Sequence, residues 1–135
     1  MEKLIIKTQE QADALTKNDN LIFDGHIIFE CFVNIKGSIE AGWSIEAGEG
    51  IEAGLGIKAG WSIEAGLGIE AGEGIEAGWS IEAGEGIEAG EGIGIFAGLR
   101  VKIDQWSLYA KVSAKTKPLN LVSGFWIGND NEISK

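Results

Sequence analysis

The chain has 135 residues, 44% of them apolar, with 21 Gly, one Pro and a formal net charge of −10. That length fits one compact domain or one short solenoid. The apolar content excludes a disordered glycine-rich polymer, and the charge argues against DNA, RNA or an anionic membrane as a direct ligand.

The opening MEKLIIKTQEQ holds no long apolar run, so it predicts neither a signal peptide nor a membrane span. The single cysteine, Cys31, leaves no partner for an intrachain disulfide, and an intracellular, cytoplasmic protein is the simple reading. Thr8-Gln9-Glu10-Gln11 has the form of a capping box that opens a short helix ending near Lys17. Asn18-Asp19-Asn20 then reads as a turn. Leu21, Ile27 and Val33 already keep a six-residue phase, so residues 1–38 form an N-terminal cap with a helix and one or more imperfect coils. His26 lies beside apolar Ile27 and Ile28 and reads as a cap residue, and Cys31, in the alternation Ile27, Phe29, Cys31, Val33, as a buried, inert thiol.

From Ile39 to Gly92 the chain is nine hexads, beginning IEAGWS, IEAGEG, IEAGLG, IKAGWS. In an extended strand Ile and Ala point to one side and Glu to the other, so Ile and Ala face an interior and Glu faces water. Gly at the fourth position permits a corner where φ turns positive. The fifth position accepts Trp, Glu or Leu and is a solvent-facing corner; the sixth is Gly or Ser. Trp43, Trp61 and Trp79 recur every 18 residues, three hexads, so three walls close one turn and the tryptophans stack at one corner, about 4.8 Å apart. The regular solenoid spans 39–94. A right-handed coil or a flat glycine-rich sheet would satisfy the six-residue period as well.

Ile93-Gly94 slips the phase by two residues, Ile95–Arg100 is a decayed hexad, and Val101 starts another. LYAKVSA after Trp106 alternates like a half-buried strand, and Lys117-Pro118 breaks it. Residues 95–135 therefore form decayed coils and a C-terminal β cap. Within it Leu108, Phe125 and Trp126 either close the core or make a homodimer contact.

This hexad pattern resembles the hexapeptide-repeat family, closely over 39–92 and loosely over 21–106. The resemblance implies an all-β fold, a left-handed parallel β-helix of triangular section with 18 residues per coil. Small residues are common at the family's fifth position, where this chain has Trp, Glu or Leu. Many members are acyltransferases with a His base at a subunit interface and loops extruded from the coil. Here the sole His precedes the regular repeat and the regular hexads carry no insertion, so the expectation is a protein without catalytic residues. No P-loop, dinucleotide fingerprint or metal-ligand cluster is present, and no cofactor or metal is expected.

Residues 39–92 hold twelve Glu and one Lys, a net −11, while the rest of the chain is at +1. Closing the coil arranges the second-position residues as three outward rows: Glu46, Glu64 and Glu82; Glu52, Glu70 and Glu88; and Glu40, Lys58 and Glu76. The corners add Glu49 and Glu85 along one edge and Glu73 and Glu91 along another. Three perfect coils are about 14 Å tall, so the rod carries one net charge per about 1.3 Å, against about 1.7 Å for duplex DNA. Two carboxylates about 5 Å apart in water repel by about 0.8 kcal/mol, so stability does not account for the rows. Duplication of a hexad and a need for solubility are one reading of them, and mimicry of a nucleic acid is the other.

Charge, size and rod shape are similar to those of acidic DNA mimics that phages carry against host nucleases, anti-CRISPR proteins among them. Pentapeptide-repeat DNA mimics are a second parallel. That likeness implies a non-catalytic inhibitor in the host cytoplasm whose Glu walls occupy the nucleic-acid cleft of a basic protein, a CRISPR effector for example. The alternatives are a structural, self-associating solenoid module with the C-terminal cap pairing two subunits and, at a distance, an acyltransferase-like enzyme. The Trp ladder serves either as a structural corner or as a contact surface.

Overall fold

Each Ile-Glu-Ala triplet of the repeat forms a strand of three or four residues, and a computed structural model of the chain stacks these strands into three parallel sheets. The structure describes residues 2–90, 94–115, 117, 118 and 120–128. Among them the first wall has seven strands: Lys3–Ile6, His26–Phe29, Ile45–Ala47, Ile63–Ala65, Ile81–Ala83, Lys111–Ala114 and Phe125–Gly128. The second wall has four: Val33–Ile35, Ile51–Ala53, Ile69–Ala71 and Ile87–Ala89. The third has six: Leu21–Phe23, Ile39–Ala41, Gly56–Ala59, Gly74–Ala77, Gly94–Phe96 and Leu121–Ser123. The chain visits the walls in rotation, which makes a solenoid of about six turns with 18 residues in each regular turn.

The register repeats with the sequence. Ile45, Ile63 and Ile81 lie side by side, and so do Glu46, Glu64 and Glu82. Every hexad isoleucine is buried, at 0–2% exposure, and the alanines beside them line the same interior. Each buried Ile contributes about 1.5–3 kcal/mol, and the strands are too short to persist without that shared column. The first coil, residues 21–38, is already in step, with Leu21 beside Ile39, Ile27 beside Ile45 and Val33 beside Ile51.

The fourth-position glycines have a different cause from the one the sequence suggests. Positive φ among the described glycines occurs at Gly94, Gly98 and Gly124, outside the perfect repeat. Within it, the constraint is close approach between coils. A Cβ on Gly66 would overlap the carbonyl oxygen of Gly48, and one on Gly72 that of Gly54. Backbone hydrogen bonds therefore continue around the corners: the Gly66 amide donates to the Ala47 carbonyl at 3.0 Å.

Side chains close the ends of the second wall. The helix runs Gln9–Leu15 with Thr8 as its N-cap, and the Gln11 amide N–H donates to Thr8 Oγ1. Gln11 Oε1 accepts from the Lys7 amide, one residue before the cap. Gln9 then substitutes for a missing strand, its Nε2 donating to the Asn34 carbonyl at 2.8 Å and its Oε1 accepting from the Asn34 amide at 2.9 Å. At the other end Asn120 Nδ2 donates to the carbonyls of Ala89 and Gly90. Asn18 and Asp19 make the expected turn, both with positive φ, between paired Lys17 and Asn20.

The C-terminal segment departs from its expected form. Ile95 does pair with Ile75, 20 residues back, as a two-residue slip requires, although Ile93 lies outside the described residues. Val101 starts no hexad. Gly98 turns at φ +78, and the chain leaves the coil as a 3-10 turn, Ile103–Gln105, and a helical turn, Trp106–Tyr109. Only Lys111–Ala114 of LYAKVSA is strand, placed beside Ile81–Ala83. The strand Lys3–Ile6 has no repeat to announce it, and pairs with His26–Phe29.

Gly66→Ala and Gly48→Ala change the same hexad position one coil apart, yet a Cβ on Gly48 meets nothing within 4 Å. Gly66→Ala is expected to lower the unfolding free energy by about 2 kcal/mol and Gly48→Ala to change it by less than about 0.5 kcal/mol. Urea titration of both variants measures this, and equal losses contradict the close-approach account.

Candidate functional site: two acidic walls and an aromatic corner

Because glutamate alternates with buried Ile and Ala, its carboxylate has no direction but outward. Glu46, Glu64 and Glu82 form a continuous row on the first wall, with Ile28 before it and Ser113 after it. Glu52, Glu70 and Glu88 form the row on the second wall, headed by Asn34, whose Nδ2 donates to Glu52 Oε1 at 3.3 Å. Glu49 and Glu85 share the edge between these two walls, but exposed Leu67 stands between them. Glu73 follows exposed Leu55 on the next edge, and Glu91 lies outside the described residues. On the third wall Lys58 pairs in register with Glu40 and Glu76, so that wall alternates in sign.

A shallow trough runs along each acidic wall. On the first wall it encloses 730 Å³ between the Glu46, Glu64 and Glu82 row and the bare Gly48, Gly66 and Gly84 row. The second-wall trough, along Glu52, Glu70 and Glu88, encloses 350 Å³. Glycine at the fourth position, set by coil-to-coil contact, leaves this backbone uncovered.

The middle glutamate of each row feels both neighbours. Partial burial, then repulsion from Glu82 and Glu46, raises the carboxyl of Glu64 above its ordinary pKa. Partial burial, then Glu52 and Glu88, does the same to Glu70. The cost of like charges in register thus falls where the rows are complete.

Trp43, Trp61 and Trp79 share the corner between the third and first walls, bonded through their backbones at 3.0 Å per step. Trp61 and Trp79 stack with centroids 5.0 Å apart and planes 3° apart, while Trp43 meets Trp61 edge to face at 4.2 Å. Sequence reasoning missed the two rings that lengthen the ladder. His26 lies 5.9 Å from both Trp43 and Trp61, and Tyr109 lies 6.4 Å from Trp79. The His26 position was legible, since it stands 18 residues before Ser44, whose amide donates to His26 Nδ1 at 3.4 Å. Tyr109 follows the irregular excursion and has no periodic signal.

Cys31 is half-buried, not in the core, because the alternation that would bury it ends where the chain turns toward the second wall. Burial, then Glu49, raises its thiol pKa. Leu108 and Phe125 are exposed at the C-terminal end, whereas Trp126 packs partly buried against the core. Among the described residues no three His, Cys, Asp or Glu side chains are grouped to hold a metal ion, and no helix is long and apolar enough to cross a membrane. No protein-family model, curated protein or solved structure matches the chain.

The raised carboxyls set the sign of a pH effect. Their folded pKa values lie above the unfolded ones, so the folded state binds more protons in the range just above an ordinary Glu pKa. Stability is therefore lower at neutral pH and rises as pH falls through that range. Thermal melts are expected to give a higher midpoint at about pH 5 than at about pH 7.5, and Glu64→Gln with Glu70→Gln to raise the midpoint at the higher pH. A midpoint that falls on acidification to pH 5 contradicts the reading.

Proposed function

We propose that this chain is a non-catalytic acidic inhibitor, a left-handed solenoid of hexapeptide-repeat type that enters the nucleic-acid cleft of a basic protein. The contact is made by the first and second walls. The observation that carries the proposal is the pair of complete glutamate rows on adjoining walls, kept although partial burial and, after it, like-charge repulsion raise the proton affinity of Glu64 and Glu70. Lys58 fits the third wall without disturbing the register, so a less costly pattern was open to the fold. A basic cleft would relieve that repulsion on docking, as it does for phosphates. A defence nuclease of the CRISPR type is one such partner, the inhibitor then being a phage protein acting in the host cytoplasm.

Capture from a lysate at low and high salt, followed by competition, tests this. The proposal expects a nucleic-acid-binding protein that is retained at low salt and released at high salt, and from which the chain displaces labelled DNA or RNA. Replacing Glu46, Glu64, Glu82, Glu52, Glu70 and Glu88 with Gln is expected to weaken that displacement at least 100-fold, through the loss of six paired charges. Displacement that survives all six replacements overturns it.

A further inference from the structure

We infer that the third wall docks face to face on the third wall of a second copy, with the two rods antiparallel. The trough along this wall encloses 580 Å³, and its charged lining is Asp24, Glu40, Lys58, Glu76 and Arg100, three acids and two bases. The matching trough on the first wall is lined by four acids and that on the second wall by three, with no base in either. Two copies meeting through either of those walls would bring only carboxylates together, whereas the third wall presents both signs.

The order of those charges selects the antiparallel arrangement. Along the wall Asp24 lies in the first coil, Glu40 in the second, Lys58 in the third, Glu76 in the fourth and Arg100 in the fifth. Asp24 and Arg100 both reach over the glycine row: a Cβ on Gly42 would touch the Asp24 carboxylate, and one on Gly78 the Arg100 stem. A two-fold axis through the Lys58 coil, parallel to the strands, therefore sets Asp24 of each copy against Arg100 of the other. It also sets Ile22, 64% exposed, against the end that carries Phe96 and Leu99, the latter 54% exposed. In the middle each Lys58 falls between Glu40 and Glu76 of both copies. Parallel rods would instead set Asp24 against Asp24 and Arg100 against Arg100.

Such a contact is isologous, so it closes at two copies. It leaves the complete glutamate rows of both copies facing outward and stands apart from the inhibitor reading. A wall five coils long measures about 20 Å, a footprint smaller than that of a standard stable interface, so the expected dissociation constant is about 100 µM.

Sedimentation of the full chain at low salt, from about 5 µM to about 1 mM, tests the inference. The expected result is a weight-average mass that rises from the 14.3 kDa chain mass toward twice that value and no further. Asp24→Arg and Arg100→Asp each set like charges against each other at both ends of the contact, so each variant alone is expected to stay monomeric over that range. Mixed in equal amounts, they restore opposite charges at both ends and are expected to pair at about the wild-type concentration, which also shows both to be folded. A wild-type chain that stays monomeric throughout overturns the inference. So does a single variant that dimerises as the wild type does, or a mixture of the two that stays monomeric.

Discussion

The hydrogen-bonded step of 18 residues between successive coils is the constraint on which the other features rest. It sets Ile over Ile, so that short strands share one apolar column. The same step sets Gly66 so close to the Gly48 carbonyl that no side chain fits. It also sets Glu over Glu and Trp over Trp, whatever those residues cost or contribute. A chain built from one hexad has little freedom to vary one row without breaking another.

Within that frame the rows differ in energetic sign. The isoleucine column and the corner hydrogen bonds stabilise the coil, and the Trp61–Trp79 stack adds a smaller contribution of about 0.5–1.5 kcal/mol. The glutamate rows oppose it, and the proton affinity of Glu64 and Glu70 rises first through partial burial and then through repulsion from their row neighbours. Lys58 shows how readily one base alternates the third wall. The first and second walls lack such a residue over three consecutive coils, and a cationic partner is the surrounding in which their charge becomes favourable.

Strict repetition made the middle of the molecule legible. The IEAG hexads and the Trp spacing establish the wall count, the inward residues and the row partners, because period 2 within a strand and period 18 between coils leave one self-consistent arrangement. Legibility fails where repetition fails. Val101–Tyr109 holds apolar residues at hexad-like spacing, but the two-residue slip at Gly94 and the turn at Gly98 take it out of the coil. Cys31 keeps the alternation of a core strand past the point where the chain turns. The caps are individual solutions: nothing periodic marks Gln9 as the amide that completes Val33–Ile35, Asn120 as its counterpart beyond Ile87–Ala89, or Tyr109 as the last ring of the ladder. The glycine positions were legible and their reason was not, since a close approach between coils leaves no mark within a single hexad.

The distance between two outward positions 36 residues apart tests the register most directly. With Cys31→Ser as background, nitroxide labels at Glu46→Cys and Glu82→Cys sit two strand spacings apart on one row, about 10 Å. Continuous-wave electron paramagnetic resonance of the frozen protein is expected to show the strong dipolar broadening of that separation. A spectrum without broadening would place the labels beyond about twice that distance, and would contradict the stacked rows on which both the fold and the acidic walls depend.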